Sequence, residues 1–358
     1  MKVCIVVGTR PEIIKMSPLI KECQKRKIDF DIINARQHFS DYMCDVFFRE
    51  LELPTPAFSF QVQAGGHAQQ ISSLLVGFDT IFSKSSYDIV LVQGDTNAVF
   101  AAALIASRYQ IPIGHIEAGL RSKDRTMPEE INRILVDHLS TYLFAASSQS
   151  QDNLKDEGIR ADCIWNTGNT IVDATLRAIK LAKKKSFKKD VVHKYILLTL
   201  HRPGNVDATE NLEEIIKGIQ QVSNNHRLSV IFPIHPRTKA KILASKLTLP
   251  SQFHLLDPVG YLDFLRLLSN ARLIMTDSGG IQEEACILQV PCVTLRKNTE
   301  RPETITVGAN LIGGVTKETI WRASNTMLKK RCQWGIPYGD GHSAEKILSI
   351  IKDAIDKE

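Results

Sequence analysis

The sequence contains no apolar run that approaches the ~20 residues needed to cross a membrane, which argues against a transmembrane helix. The N-terminus, MKVCIVVGTRPE, has only a short apolar run ending at Gly8, and no small-residue cleavage site follows it. We therefore interpret Val3–Val7 as a first β-strand rather than a signal peptide. We expect a cytoplasmic protein without a membrane partner.

The sequence also lacks the usual signatures of metal and nucleic-acid sites. Seven cysteines include no CxxC pair, and ten histidines show no HExxH or similar spacing, so we expect buried free thiols and no metal. The net charge is +6, and much of the excess lies in KLAKKKSFKKD at 180–190. No known nucleic-acid-binding motif accompanies this stretch. We therefore interpret it as a solvated helix end and linker and expect no nucleic-acid partner.

What the chain does contain is a regular alternation of β-rich apolar runs and helical patterns. This alternation predicts parallel sheets joined by right-handed crossovers. The predicted strands are Val3–Val7, Phe30–Asn34, Ile89–Gln93, Pro112–Ile116, Tyr142–Ala145, Tyr195–Leu200, Leu228–Pro233, His254–Leu256, Arg272–Thr276 and Cys292–Leu295. The predicted helices are Ile13–Lys25, Thr96–Tyr109, Glu129–Leu139, Asn211–Val222, Tyr261–Ser269, Ile281–Leu288, Lys317–Lys330 and a last amphipathic helix within 342–355.

A chain of 358 residues is long for one domain and sufficient for two. We predict an α/β fold of two doubly wound Rossmann-like domains whose parallel sheets face a central cleft. The predicted domains are 1–168 and 169–342, with a further helical segment at 343–358.

Polar residues gather where the predicted strands end, which is where open parallel sheets bind ligands. Each has a plainer interpretation by itself: Asp95 opening a turn, Glu117 pairing with Arg121, or His201 buried in the core. Together they favour a ligand cleft. The residues concerned are Gly8–Arg10, Gly94–Thr96, Glu117–Gly119, His201–Arg202, His235 and Ser278–Gly280.

The segment TDSGGIQEEA, at 276–285, predicts a strand, a tight turn and a helix. Free N–H groups at a helix start suit a phosphate, and Gly279 and Gly280 would let the anion approach the backbone. Glu283 or Glu284, one turn later, would reach a sugar hydroxyl. An ordinary turn with Ser278 as N-cap is the alternative.

The two halves carry different chemistry. The first contains the acid–base candidates Asp95, Glu117, Glu129 and Glu130, and crowded carboxylates raise one another's pKa. The second contains the phosphate turn with Arg296 and Arg301 nearby in sequence. We expect Arg10 and His201 to neutralise charge on a departing phosphate. This division predicts a transformation of a nucleotide-sugar.

An ordered series of motifs resembles the non-hydrolysing UDP-N-acetylglucosamine 2-epimerases and covers nearly the whole chain. The motifs are GTRPEIIKMSP (8–18), QHFSDYM (37–43), VQGDT (92–96), HIEAGLRS (115–122), MPEEINR (127–133), GNTIVDA (168–174), TLHR (199–202), TDSGGIQEEA (276–285), TERPETI (299–305) and PYGDGHSAEKI (337–347). The resemblance implies a GT-B type fold, with the last helix packing back on the first domain. It also implies a homodimer that uses no cofactor.

The activity implied by the resemblance is interconversion of UDP-GlcNAc and UDP-ManNAc. It proceeds by anti elimination of UDP to 2-acetamidoglucal, followed by re-addition, in the synthesis of cell-surface polysaccharides. Transferred by motif, the catalytic residues are Asp95, Glu117, Glu129 and His201, with the acid and base roles among the carboxylates left open. The residues transferred as UDP-sugar ligands are Arg10, Lys15, His235, Ser278, Gly279, Gly280, Glu284 and Arg301. For Lys15, a helix-surface position is the alternative.

The chain also departs from the family pattern. It reads HRPGN at 201–205 where many members read HRREN. This difference weakens the expectation that UDP-GlcNAc also binds as an allosteric activator at Gln37, His38 and Arg202. Other UDP-2-acetamido sugars, such as a diacetamido uronate, are alternative substrates. A GT-B glycosyltransferase, a nucleotide-sugar-binding protein without turnover and a hydrolysing 2-epimerase that releases ManNAc are further alternatives, although Pro11 argues against the last.

Overall fold

The computed structural model describes residues 1–36, 41–184, 194–245 and 247–356, without the side chains of 41–44. Gln37 and His38, two of the candidate activator ligands, lie outside the described residues. The chain divides into two compact units. Unit 1 comprises Met1–Ala174 and the chain from Tyr338 onward, and unit 2 comprises Thr175–Pro337. Among the described residues, no helix combines the length and apolar character required to span a membrane.

Unit 1 is built on a seven-stranded sheet in which every neighbouring pair is parallel. Its strands are β1 (Lys2–Val7), β2 (Asp29–Arg36), β3 (Phe58–Gln61), β4 (Ile89–Gln93), β5 (Ile113–Ala118), β6 (Tyr142–Ala145) and β7 (Ile164–Asn166). Its helices begin with α1 (Arg10–Arg26), α2 (Asp41–Glu50), α3 (His67–Phe82), α4 (Asn97–Arg108), α5 (Pro128–Leu139), α6 (Ser148–Asp156), a 3-10 turn at Ala161–Cys163, and α7 (Thr170–Lys184), which continues into unit 2. The strand order is β3-β2-β1-β4-β5-β6-β7.

Unit 2 contains a six-stranded sheet, again with parallel neighbours throughout. Its strands are β8 (Tyr195–Thr199), β9 (Ser229–Pro233), β10 (Phe253–Leu256), β11 (Leu273–Thr276), β12 (Cys292–Thr294) and β13 (Asn310–Ile312). Its helices are α8 (Pro203–Val206), α9 (Thr209–His226), α10 (Pro236–Ala244), α11 (Tyr261–Asn270), α12 (Gly279–Ile287), α13 (Pro302–Thr306) and α14 (Lys317–Lys329). The strand order is β10-β9-β8-β11-β12-β13.

The central strands are apolar along their whole length because helices cover both faces of a parallel sheet. The side chains of β4 and β8 are buried at every position. The edge strand β3 alternates between partly buried and exposed side chains, and β13 has only three residues. Short or alternating edge strands such as β3, β7 and β13 carry a weak apolar signal, and the sequence analysis missed them.

The last helix, α15 (Ser343–Ile355), belongs to unit 1 and packs against α1. The Asp173 carboxylate accepts hydrogen bonds from the backbone N–H groups of Ser343 and Ala344 and so satisfies the first turn of α15. At the other side of this contact, Arg26 donates to the hydroxyl of Ser349 and to a backbone carbonyl of α15.

Each sheet has a switch point, which is the pair of adjacent strands from which the strand order proceeds toward opposite edges of the sheet. In unit 1 it lies between β1 and β4, and in unit 2 between β8 and β11. The two chain segments leaving such a pair of strands diverge to opposite faces of the sheet, which opens a crevice beyond the carboxyl ends. The predicted doubly wound α/β fold class is confirmed, and the switch points give two places at which to examine the predicted site residues.

Candidate active site

The turn after β1 is held together by a buried carboxylate. Glu12, at 2% exposure, accepts the backbone N–H groups of Gly8 at 2.6 Å and Thr9 at 2.9 Å. It also accepts the hydroxyl of Thr96, 2.6 Å away at the end of β4. Burial raises the pKa of Glu12 to about 7, against the opposing effect of these hydrogen bonds. One side chain therefore joins the two loops of the unit 1 switch point, a role that the sequence analysis missed.

Arg10 begins helix α1 at this turn and is exposed. Its guanidinium carbon lies 4.9 Å from the ring centroid of Phe47, which is buried in α2. A cation over an aromatic face is held in orientation while its N–H groups stay accessible. Arg10 therefore combines a defined position with exposed donors for an anion.

Lys15 and Glu117 form a buried ion pair. The Nζ atom of Lys15 lies 2.7 Å and 2.5 Å from the two carboxylate oxygens of Glu117, and the residues are 7% and 5% exposed. Gln93 donates to the same carboxylate, and Asn169 does so at 3.4 Å. The structure corrects two plainer interpretations, because Lys15 is not a helix-surface residue and Glu117 pairs with Lys15 rather than with Arg121.

The backbone of Glu117 adopts φ = +69°, in the left-handed region that non-glycine residues rarely occupy. The pairing of β5 with β6 shifts register between Ile116 and Ala118, so Glu117 forms an irregularity just before the strand ends. Such strain costs about 1–3 kcal/mol and persists where surrounding contacts compensate for it. Here the contacts with Lys15 and Gln93 hold the carboxylate in place.

Asp95 lies beyond β4 and forms an ion pair with Arg133 of α5. Arg133 is 8% exposed and also contacts Glu130 at 2.9 Å. The Glu130 carboxylate accepts the N–H groups of Ser122 and Lys123, and these hydrogen bonds hold its pKa below the usual range despite burial. Glu130, an acid–base candidate in the sequence, therefore stabilises the loop that contains Ser122 and Lys123. Glu129, in the first turn of α5, is exposed.

A second buried network supports the loop that carries Asp95. His115 of β5 lies 2.6 Å from Asp137 through Nδ1 and 2.9 Å from the backbone carbonyl of Gly94 through Nε2. Arg121 contacts the other oxygen of Asp137 at 2.8 Å and also binds Glu157. Burial opposes ionisation of Asp137, but His115 and Arg121 hold its pKa below the usual range. The motif HIEAGLRS contains both partners, although their pairing with α5 is visible only in the fold.

In unit 2, His201 follows β8 and Asp277 follows the neighbouring strand β11. The Nδ1 atom of His201 lies 2.9 Å from Asp277, which is fully buried, whereas the His201 side chain is 43% exposed. His201 is therefore not a core histidine. His235, after β9, is exposed, and partial burial followed by the charges of His201 and Arg237 lowers its pKa.

The predicted phosphate turn is the first turn of a helix, because α12 begins at Gly279 and Ser278 is its N-cap residue. The predicted helix start at Ile281 is thus two residues late. The side chain of Ser278 makes no capping hydrogen bond. A Cβ atom at Gly280 would meet no heavy atom within 4 Å, and one at Gly279 would lie 3.4 Å from Glu300. The helix start therefore offers an uncapped N-terminus with open space beside Gly280.

The two glutamates of α12 differ in environment. Glu283 is 1% exposed, and its carboxylate lies 2.7 Å from the Nε atom of Arg301. Glu284 is 6% exposed. Gln282, between them and Ser278, accepts hydrogen bonds from Thr299 at 2.6 Å and Asn310 at 3.0 Å. The segment TERPETI is thereby fastened to α12, with Arg301 held by Glu283.

Arg202 lines a pocket of about 290 Å³ within unit 2. Glu300 neutralises part of the positive charge here, because it pairs with Arg296 at 2.8 Å and lies 3.9 Å from Arg202. The lining residues are Arg202, Pro203, Gly204, Asn205, Asn211, Arg296, Lys297, Asn298 and Val315. Pro203 begins the short helix α8, so the HRPGN departure from the family pattern forms one wall of this pocket.

Comparisons with known proteins agree with this arrangement. The family model described as UDP-N-acetylglucosamine 2-epimerase matches residues 21–352. The UDP-N-acetylglucosamine 2-epimerase of Methanocaldococcus jannaschii is 49% identical over 361 residues, covering 98% of this chain and 99% of the relative. The UDP-2,3-diacetamido-2,3-dideoxy-D-glucuronate 2-epimerase of Pseudomonas aeruginosa is 38% identical over 362 residues, covering 98% and 99%.

Solved structures show the same likeness. The crystal structure of the Methanocaldococcus jannaschii UDP-GlcNAc 2-epimerase in complex with UDP-GlcNAc and UDP superposes with a TM-score of 0.89 at 48% identity, covering 99% of this chain and 100% of that one. The glycosyltransferase of kitacinnamycin shares the fold alone, with a TM-score of 0.56 at 14% identity over 98% of this chain and 94% of that one. The GT-B type predicted from the motifs is confirmed. The chain belongs to the UDP-N-acetylglucosamine 2-epimerase family, a family of isomerases.

Proposed function

We propose that this protein interconverts UDP-GlcNAc and UDP-ManNAc without net hydrolysis. The observation that carries the proposal is the 49% identity, over almost the full length of both chains, to the Methanocaldococcus jannaschii enzyme of that name. The contacts at the two switch points support it. Unit 1 holds ion-paired carboxylates there, and unit 2 holds an uncapped helix N-terminus.

The reaction begins when a carboxylate removes the C2 proton while the C1–O bond breaks. The C–H electron pair forms the C1=C2 double bond of 2-acetamidoglucal, and the C1–O electron pair leaves on the β-phosphate of UDP. A proton then returns to C2 on the opposite face, and an oxygen of the β-phosphate of UDP adds to C1. Because the C2 proton is only weakly acidic, stabilising the departing diphosphate must contribute much of the rate enhancement.

The ion pairs in unit 1 support a role of their carboxylates as proton acceptors. Lys15 places a positive charge beside the Glu117 carboxylate, and Arg133 places one beside that of Asp95. Either carboxylate is thus suited to remove a proton from C2. We assign Glu129, which is exposed in the first turn of α5, to the same proton-transfer group. The order in which the three act is left open by these contacts.

We assign the nucleotide to unit 2 together with Arg10 and Lys15. The backbone N–H groups of Gly279 and Gly280 and the hydroxyl of Ser278 hold the diphosphate, and His201 neutralises the charge that develops on it. Glu284 accepts the ribose hydroxyls, as the family resemblance implies. Arg301 and His235 complete the set of proposed UDP-sugar ligands.

The test is NMR of UDP-GlcNAc incubated with the enzyme in deuterated water. We expect UDP-ManNAc with deuterium at C2, and deuterium entering the remaining UDP-GlcNAc as the reaction reverses. Free ManNAc in place of UDP-ManNAc would show a hydrolysing enzyme, and deuterium exchange with no epimer would also refute the proposal. Glu117→Gln should lower kcat by ~10²-fold or more if this carboxylate transfers the proton.

A second candidate substrate is a UDP-2,3-diacetamido uronate, favoured by the 38% identity to the Pseudomonas aeruginosa enzyme. The same NMR assay with both sugars compares them by kcat/KM. A higher value for the uronate would move the assignment to that substrate and leave the elimination chemistry unchanged.

We further propose, from the family resemblance, a cytoplasmic homodimer that supplies ManNAc for surface polysaccharides and is activated by UDP-GlcNAc at a site including Arg202. Light scattering measures the oligomer. Initial rates from UDP-ManNAc, with and without trace UDP-GlcNAc, measure activation. If activation uses Arg202, Arg202→Ala should abolish it, whereas Arg237→Ala, an exposed arginine of the same unit, should leave it unchanged.

A further inference from the structure

Asp277 is the most heavily engaged carboxylate at the switch point of unit 2. It is fully buried, and it lies at the end of β11, immediately before Ser278. It accepts the backbone N–H groups of His201 at 3.0 Å and Arg202 at 2.8 Å, and the amide of Asn205 at 3.2 Å. Its other oxygen lies 2.9 Å from Nδ1 of His201. These contacts join the loop after β8 to the residue that immediately precedes Ser278, the N-cap residue of α12.

The hydrogen bonds of Asp277 determine which ring nitrogen of His201 carries a proton. Burial opposes ionisation of Asp277, but the hydrogen bonds from His201 and the backbone N–H groups hold its pKa below the usual range. An ionised carboxylate accepts hydrogen bonds and cannot donate one. The Nδ1 atom of His201 must therefore carry the proton. This leaves Nε2 as the ring nitrogen that can contact a ligand.

We propose that Asp277 is a positioning residue that keeps Nδ1 of His201 protonated, so that Nε2 meets the departing diphosphate. The identity of the ligand rests on the proposed function above. The His201 side chain is 43% exposed, so its ring is accessible to a ligand while its position is set by a buried partner. Asp277 itself does not touch the substrate.

The chemical consequence follows from charge. With Nδ1 bound to a carboxylate, His201 becomes an imidazolium on protonation, and its Nε2–H donates to a phosphate oxygen as the C1–O bond breaks. In Asp277→Asn, the amide oxygen retains the backbone hydrogen bonds, and the amide N–H faces Nδ1. His201 then prefers the Nε2–H tautomer, which is neutral and lacks a stabilising counter-ion for the imidazolium. Cleavage of the C1–O bond should therefore be impaired more than binding of UDP-GlcNAc, because the charge on the β-phosphate develops only as that bond breaks.

The direct test is ¹⁵N NMR of histidine-labelled protein, with His201 assigned from its absence in His201→Gln. We expect the neutral ring to be protonated at Nδ1 in the unmodified protein and at Nε2 in Asp277→Asn. A neutral His201 protonated at Nε2 in the unmodified protein would overturn the inference. That measurement remains decisive if Asp277→Asn fails to fold, and it does not depend on turnover.

The kinetic test separates positioning from a structural role. Asp277→Asn should lower kcat by roughly 10²-fold while the KM for UDP-GlcNAc, in which the charge on the β-phosphate has not yet developed, stays close to that of the unmodified protein. In a His201→Gln background the same change should add little, because the two residues act as a unit. Full additivity of the two losses would contradict the inference. Asp263→Asn, an exposed aspartate of α11, is the matched control and should leave kcat unchanged.

The two proposals fail in distinguishable ways. If the unmodified protein neither epimerises UDP-GlcNAc nor exchanges deuterium at C2, the proposed function fails, and the NMR tautomer still decides the role of Asp277. If epimerisation occurs but His201 has the other tautomer, only this inference fails.

Discussion

At the scale of single residues, buried charges of the candidate active site are compensated by partners that are distant in sequence. Lys15 and Glu117 are separated by 102 positions, and Asp95 and Arg133 by 38. A buried ion pair contributes little net stability because desolvation offsets the attraction between the charges, but losing one partner is expensive. Such pairs are better explained by the chemistry that they prepare than by stability.

The first prediction concerns the Lys15–Glu117 pair. Lys15→Met should lower the free energy of unfolding by about 3–5 kcal/mol, because it leaves the buried carboxylate without its cation. The double variant Lys15→Met/Glu117→Gln should recover much of that loss, since both charges are then absent. Urea denaturation of the two variants measures the difference. Equal stability of the single and double variants would show that the pair is not coupled.

The second prediction concerns Glu12, whose folded-state pKa of about 7 exceeds the ordinary value of 4.5. Because the unfolded chain releases this proton first, stability from Glu12 is complete below about pH 4.5 and is lost as the pH rises to 7. The integrated loss is about 3 kcal/mol. Urea denaturation across this pH range should show the slope reduced in Glu12→Gln and unchanged in Glu210→Gln, an exposed glutamate of α9. An unaltered slope in Glu12→Gln would contradict the assignment.

At the scale of elements, turns bring the strand ends and the following helices into close contact. Gly119, just after β5, has φ = +78°, and a Cβ atom there would lie 2.2 Å from the carbonyl oxygen of Ser150 in α6. Its N–H group also donates to Asp137 at 3.2 Å. Glycine is therefore required here for conformation and for space, and the turn sets the position at which β5 delivers Glu117.

The third prediction uses a matched pair of glycines. Gly158 has a similar φ of +81°, but a Cβ atom there would meet nothing within 4 Å. Gly158→Ala should therefore cost only the left-handed backbone, about 1–2 kcal/mol. Gly119→Ala should cost roughly 3–5 kcal/mol, because overpacking is added to that strain. Thermal unfolding followed by circular dichroism compares them, and equal losses would show that the space beside Gly119 is not limiting.

At the scale of the whole molecule, unit 1 is formed by two segments of the chain that are separated in sequence by unit 2. The chain builds most of unit 1, then all of unit 2, and then returns to unit 1 with α15. The return is anchored by Asp173 at the N-terminus of α15 and by Arg26 of α1. Stability of unit 1 therefore depends on a helix that follows unit 2 in the sequence.

The fourth prediction compares two buried isoleucines. Ile347 in α15 and Ile320 in α14 are both fully buried, and they belong to unit 1 and unit 2 respectively. Each change to alanine should cost about 2–5 kcal/mol through the cavity it leaves. Native-state hydrogen exchange should accelerate in the β1–β7 sheet for Ile347→Ala and in the β8–β13 sheet for Ile320→Ala. Acceleration of the β8–β13 sheet in Ile347→Ala would contradict the assignment of α15 to unit 1.

Much of the architecture follows from the sequence alone. The central strands and helices such as α1, α4 and α14 are predicted near their observed bounds, because apolar runs and helical periodicity reflect the burial that each element requires. The long helices α3 and α7 are not predicted. The edge strands β3, β7 and β13 are missed because a short edge strand buries little. The chain also predicts the doubly wound class, its strand-end polar residues and, through ordered motifs, its family.

Tertiary structure decided which of those polar residues act on one another. The sequence predicts Lys15 as a UDP-sugar ligand with a helix-surface position as the alternative, includes Glu130 with Glu129 among the acid–base candidates, and passes over Asp277. Folding pairs Lys15 with Glu117, fixes Glu130 to a loop and sets Asp277 against His201. These are contacts between side chains far apart in the chain. Local propensity does not encode them, because they exist only once parallel strands bring their carboxyl ends to one edge of each sheet.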